Sequence, residues 1–151
     1  MAKMVDISGK KSVMRTAVAA GSLTLKRSTI QAIRKGLVKK GDVLTASKLA
    51  GIQAAKATSA ILPLCHQVPL TSIEIGVEIR KDRLEMVCSV YATYKTGVEM
   101  EALVGVTTAL LNAWDMVKYL EKDSKGQYPA TRIGEIRVLE KTKEDAGNGN
   151  R

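Results

Sequence analysis

The sequence predicts an α+β sandwich in which one antiparallel sheet is covered on one face by helices. Three observations carry this expectation. Two neighbouring segments alternate apolar and polar residues with a period of two, Ile73 to Ile79 and Leu84 to Val90, on either side of a short charged turn. A long segment, Gly97 to Lys122, repeats its apolar residues at helical spacing. The segments follow one another as strand, two helices, hairpin, long helix, strand, an order that suits a ferredoxin-like sandwich best.

Taken in order, Arg15 to Leu25 alternates loosely and reads as the first strand. Ser28-Thr29 can cap a short helix that runs to Arg34 and stops at Gly36. Lys39-Lys40-Gly41-Asp42 opens a longer Ala-rich helix, with Leu44, Leu49, Ile52, Ala55 and Ala60 as its apolar face and Pro63 as its end. Ile73, Ile75, Val77 and Ile79 then face one side of a half-buried strand. Leu84, Met86, Cys88 and Val90 repeat the pattern after Lys81-Asp82, which predicts an antiparallel hairpin. In the long helix, Leu103, Val106, Leu110, Ala113, Trp114 and Val117 form the apolar stripe. Arg132 to Glu140 reads as the last strand. A single catalytic domain over 1–141 and a solvated, flexible tail over 142–151 complete the expectation.

At 151 residues the chain suits one core. Apolar residues make up 45% and aromatics only 3%, with no Phe, so the core is built from aliphatic side chains and Met. The net charge of +9 calls for an anionic partner, with nucleotides, nucleic acid and anionic membranes all candidates. Cys65 and Cys88 are the only cysteines. Without an apolar leader at the N-terminus they suggest reduced thiols and a cytoplasmic protein. No segment has the length and apolarity of a membrane span.

Several groups could carry chemistry, and each has a plainer alternative. His66, the only histidine, is either a structural residue or a proton carrier near neutrality. Cys65, His66 and Cys88 lack the paired spacing of a structural zinc site. Lys39-Lys40-Gly41-Asp42 is either a capped, solvated turn or an anion site at a helix start. Glu99 and Glu101 are two apart, so they cannot share a helix face, and one can cap while the other enters a cleft. Asp115 and Lys118 are three apart and therefore neighbours on a helix, as a surface ion pair or as an acid–base pair. Their place beside the apolar stripe suggests partial burial, which would move the lysine toward neutrality. Glu101 and Asp115 lie about 20 Å apart along a straight helix. One compact centre using both requires two antiparallel copies of that helix, hence a site shared between subunits.

Together these segments resemble one family. Met4-Val5-Asp6-Ile7-Ser8 with Lys10 and Arg15 looks like its opening block. Lys40-Gly41-Asp42-Val43-Leu44 with Ala50 to Lys56 looks like its second, and Pro63-Leu64-Cys65-His66 like its third. Thr96 to Leu103 and Trp114-Asp115-Met116-Val117-Lys118 are similar to its fourth and fifth. In this order over residues 4 to about 141, they resemble the cyclic pyranopterin monophosphate synthases, the MoaC family of molybdenum cofactor biosynthesis. The chain departs at Thr142-Lys143-Glu144-Asp145, where a Ser/Gly/Lys-rich stretch is usual, at Gln67, where Pro is frequent, and at Trp114, where Tyr is common.

The resemblance implies a lyase. Its substrate would be 3′,8-cyclo-7,8-dihydro-GTP, rearranged to a pyranopterin with release of pyrophosphate and formation of a cyclic phosphate. Asp115, Lys118 and Lys40 would be the catalytic groups. Leu64, Cys65, His66, Met100, Glu101, Lys141 and Arg15 would bind substrate. No redox cofactor or protein-bound metal is implied, and a divalent cation accompanying the triphosphate is compatible with the step. The resemblance also implies a homohexamer, a trimer of dimers, with neither nucleic acid nor membrane as partner. Two other readings stand beside it. One is a basic RNA-binding sheet, which would need stacking aromatics such as Tyr91 and Tyr94. The other is a nucleotide-binding oligomer without chemistry.

Overall fold

The structure, a computed structural model, describes residues 1–145. Its elements are β1 (Val13–Thr24), α1 (Arg27–Arg34), α2 (Val43–Lys56), α3 (Thr58–Ile61), β2 (Leu70–Ile79), β3 (Arg83–Tyr94), α4 (Glu99–Glu121) and β4 (Arg132–Glu144). The four strands form one sheet in the order β2-β3-β1-β4, with every neighbouring pair antiparallel. This is the ferredoxin-like arrangement expected.

Strand alternation explains the layering. In β3, Leu84, Met86, Cys88, Val90 and Ala92 are buried, while Val87 and Tyr91 are exposed on the opposite face. β1 pairs with β3 along its whole length, from Val13 opposite Tyr94 to Thr24 opposite Arg83. Its Val13, Ala17, Ala19 and Leu23 continue the buried face. From α4, Val106, Ala109, Leu110, Ala113 and Val117 close the core against the strands. The other sheet face is left uncovered, with Met14, Val87 and Tyr91 open to solvent.

The helices depart from the sequence expectation in informative ways. α2 buries Val43 at its start, but Leu44 and Ile52 are only half-buried and Leu49 is 62% exposed. It buries Ser47, Gly51, Ala54 and Ala55 instead. The reason is a close crossing with α4: a Cβ at Gly51 would lie 2.7 Å from the Gly105 carbonyl oxygen, and one at Gly105 3.3 Å from the Gly51 carbonyl oxygen. Small residues let the two backbones approach, so they, and not the leucines, set the rotation of the helix. α2 also ends at Lys56, with α3 as a separate turn before Pro63. On α4, Leu103 and Trp114 are only half-buried, on the shoulder of the stripe.

The start of α1 is not a Ser28-Thr29 cap. Lys26 is the N-cap residue and no side chain caps it locally. Its backbone N–H instead donates to the carboxylate of Glu121, at the end of α4. The hydroxyls of Thr29 and Thr131 donate to the same carboxylate, Thr131 at 2.6 Å. Glu121 is fully buried and ties together α1, α4 and the approach to β4. β4 runs four residues beyond the expected end at Glu140, because Lys141, Thr142, Lys143 and Glu144 pair with Ala17, Thr16, Arg15 and Met14 of β1. The rest of the expected tail, residues 146–151, lies outside the described residues.

Candidate active site

α4 separates the candidate groups into two clusters, one at each end. At the C-terminal end, Asp115 stands between two ammonium groups. Lys118 Nζ is 2.9 Å from its Oδ1 and Lys40 Nζ is 2.8 Å from its Oδ2. Lys118 is one turn along the helix. Lys40 comes from the turn joining α1 to α2, where Gly36 and Gly41 take left-handed φ of 66° and 108°. Asp42 then caps α2 through the N–H groups of Leu44 and Thr45, which leaves its carboxylate occupied and aims the turn.

All three side chains are about half exposed, between 44% and 50%. The partial burial expected of Asp115 and Lys118 is therefore absent in the single chain. The electrostatics follow: hydrogen bonds from Lys40 and Lys118 hold the Asp115 carboxyl down at about 2. The Lys118 ammonium is held above its usual range by its hydrogen bond to Asp115, which is the opposite of the expected direction. In one chain the Asp115–Lys118 pair is therefore held in its ionised form.

At the N-terminal end, Val5, Leu64, Cys65, His66, Thr96, Gly97, Glu99 and Met100 line a cavity of about 370 Å³. The N-terminal segment borders it, since His66 Nε2 lies 2.6 Å from the Val5 carbonyl oxygen. Glu99, rather than Glu101, reaches the cavity, with its Oε1 accepting from Lys141 Nζ at 3.1 Å. Gly97 leaves it room, because a Cβ there would lie 3.3 Å from the Glu99 carboxyl carbon. Burial works against ionisation of Glu99. Its own backbone N–H, Lys141 and the charge of Arg15 outweigh that and hold the carboxyl below its usual range. Glu101 is only 3% exposed, and burial, with Glu99 adding to it, pushes its carboxyl up. Burial also raises the Cys65 thiol, with the two glutamates contributing, so it is no ready nucleophile. Cys88 is buried in the core and pushed up to about 12.

Among the described residues, three buried polar atoms lack a partner: Arg15 Nε, Glu99 Oε2 and Glu101 Oε2. All belong to this end of the molecule, and each calls for a polar partner that the described residues do not supply. Arg15 is 8% exposed and gives one hydrogen bond to the Lys95 carbonyl. Beside it, Lys10, Lys11 and Lys143 join Arg15 and Asp145 around a second cavity of about 250 Å³. Lys143 enters because β4 places it directly across from Arg15. Sequence reasoning did not single out Lys143, Lys11 or Gly97 as site residues. For Lys143 the signal was available in its i, i+2 spacing from Lys141, which puts both on one strand face.

The two clusters do not meet within one chain. Among the described residues, no three His, Cys, Asp or Glu side chains converge as metal ligands, and no helix is long and apolar enough to cross a membrane. Tyr91 is exposed on the open sheet face, whereas Tyr94 falls in register with the core-facing Val13. One tyrosine does not make a stacking platform for RNA.

Fold and geometry thus define a ferredoxin-like α+β protein with an ion-paired Lys40–Asp115–Lys118 cluster at one end of a long helix and two neighbouring cavities, one lined by Glu99 and one by basic residues, at the other. A family comparison narrows this: the MoaC family model matches residues 4–144, and the chain belongs to that family. It is similar to the probable cyclic pyranopterin monophosphate synthase of Pyrococcus furiosus, at 55% identity over 95% of this chain and 92% of the relative. Relatives with the same description from Thermococcus onnurineus and Sulfolobus acidocaldarius are 54% and 53% identical, over 95% and 93% of this chain and 92% and 98% of theirs.

Proposed function

We propose that this protein is a cyclic pyranopterin monophosphate synthase, a lyase converting 3′,8-cyclo-7,8-dihydro-GTP to cyclic pyranopterin monophosphate and pyrophosphate in molybdenum cofactor biosynthesis. The observation that carries this reading is the Lys40–Asp115–Lys118 trio, assembled from two distant segments in a member of this family. Opening and reclosing the purine-derived rings requires protons to be removed and returned at several atoms. Two lysines bridged by a carboxylate can hold and pass them. Closing the cyclic phosphate requires a hydroxyl of the sugar-derived part to attack the α-phosphorus as pyrophosphate leaves.

The basic cavity of Lys10, Lys11, Arg15 and Lys143 suits the triphosphate and would stabilise charge on the departing pyrophosphate. The unpartnered Glu99 oxygen suits the N–H donors of the purine-derived ring, next to Met100 and His66. A divalent cation carried in on the triphosphate fits the same step.

The working centre lies between two subunits. On α4 one stripe left partly or fully open to solvent runs from Met100 through Leu103, Val104, Thr107, Thr108 and Leu111 to Asp115 and Lys118. Thr108 is midway between Glu101 and Asp115. A two-fold axis there sets Asp115 and Lys118 of one copy beside the Glu99 cavity of the other. The same contact removes water from the trio and favours the neutral lysine that proton abstraction needs. A trimer of dimers requires a second self-contact, and the uncovered sheet face provides an apolar surface for it.

The test is anaerobic turnover of the cyclised dihydro-GTP, followed by pyrophosphate release and by the fluorescent pterin formed on oxidising the product. The parent should turn over, and Asp115→Ala should lose at least about 100-fold in kcat, the scale of a lost proton-transfer group. Substrate binding without turnover by the well-folded parent would replace this reading with a non-catalytic nucleotide binder.

A further inference from the structure

We propose that Tyr119 is a positioning residue for Lys40, holding the turn between α1 and α2 so that the Lys40 ammonium meets Asp115. The inference rests on the catalytic reading of Lys40 and extends it. Asp115, Lys118 and Tyr119 occupy successive positions on one side of α4, at i, i+3 and i+4. The Tyr119 hydroxyl oxygen accepts the backbone N–H of Lys39 at 2.8 Å. The Lys39 ammonium lies over the same ring, 5.2 Å from its centroid. Tyr119 therefore grips the residue immediately before Lys40 by both backbone and side chain.

The grip matters because little else orients this residue. Lys39 and Lys40 are both exposed. The turn is flanked by two glycines with positive φ, and its other ties act on neighbouring residues: the Leu37 N–H to the Ala32 carbonyl at 2.9 Å, the Gly41 N–H to the Val38 carbonyl at 3.0 Å, the buried Val38 side chain and the Asp42 cap of α2. Lys40 has a long flexible stem, so its ammonium stays at Asp115 only if the backbone start point is held. Tyr119 supplies that point from the helix that carries Asp115, so donor and acceptor move together. A misplacement of about 1 Å at a reacting group is enough to slow an enzyme substantially.

Tyr119→Phe is the informative variant, since it keeps the ring under the Lys39 ammonium and removes only the acceptor. Measured in single turnover with enzyme in excess, the rate constant should fall about tenfold, with the substrate concentration for half-maximal rate changed by less than about twofold. Hydrogen exchange of the Lys39 amide should become faster, while the melting temperature stays near that of the parent. In a Lys40→Ala background, Tyr119→Phe should cost nothing more, because the residue it positions is gone. A parental rate for Tyr119→Phe, or a loss that adds fully to that of Lys40→Ala, would overturn the positioning role. Full activity of Lys40→Ala by itself would instead refute the catalytic reading of Lys40 on which the proposal stands.

Discussion

Mixing two inactive variants tests the shared centre most directly. Asp115→Ala removes the carboxylate at one end of α4 and His66→Ala removes the imidazole at the other. Neither change should unfold the chain, because Asp115 is half exposed and His66 lines an open cavity. The two ends are too far apart to serve one substrate within a chain, since Glu101 and Asp115 alone are about 20 Å apart along the helix. If each centre takes Asp115 from one copy and His66 from its partner, every mixed dimer holds one intact centre and one doubly altered centre. Random pairing of equal amounts makes half the dimers mixed, so activity should return to about one quarter of the parent. The assay is pyrophosphate release after coexpression, or after mild dissociation and reassembly of the two proteins. A centre confined to one chain gives no recovery at any mixing ratio, and that result would refute the two-fold arrangement around Thr108.

Two further predictions concern stability. Glu101 has a carboxyl raised by burial, so between the unfolded value near 4.5 and its higher folded value the native chain binds more protons than the unfolded one. Stability contributed at this residue therefore falls as pH rises through that window. Glu101→Gln should raise the melting temperature at pH 7 and leave it unchanged below about pH 4, as read by calorimetry. Glu121→Ala would strand the Lys26 N–H and the hydroxyls of Thr29 and Thr131, and chemical denaturation should show a loss of about 3 kcal/mol or more.

Much of this protein was legible in its residues because the relevant signals are local. The alternation in Ile73–Ile79 and Leu84–Val90 dictates a half-buried hairpin whatever surrounds it, since successive strand side chains point to opposite faces. The spacing of Val106, Leu110, Ala113 and Val117 does the same for α4. Asp115 and Lys118 had to be neighbours once a helix ran through both. Their separation from Glu101 along that rigid rod is likewise fixed by sequence position, and it is the ground for proposing a site between subunits.

Tertiary structure decided what depends on how the elements approach one another. Leu49 looked like core, but the Gly51–Gly105 crossing turned the small face of α2 inward, because backbone proximity there outweighs the burial of one leucine. Thr29 looked like a cap, but the buried Glu121 carboxylate needed its hydroxyl more than the helix end did. Glu99 took the cavity and Glu101 the interior, a choice set by Lys141 and Arg15 reaching in from the sheet. Lys40 meets Asp115 across 75 positions of chain. No periodicity records such a meeting, because it arises from the fold of the α1–α2 turn against α4, whereas secondary structure is written in the spacing of each segment by itself.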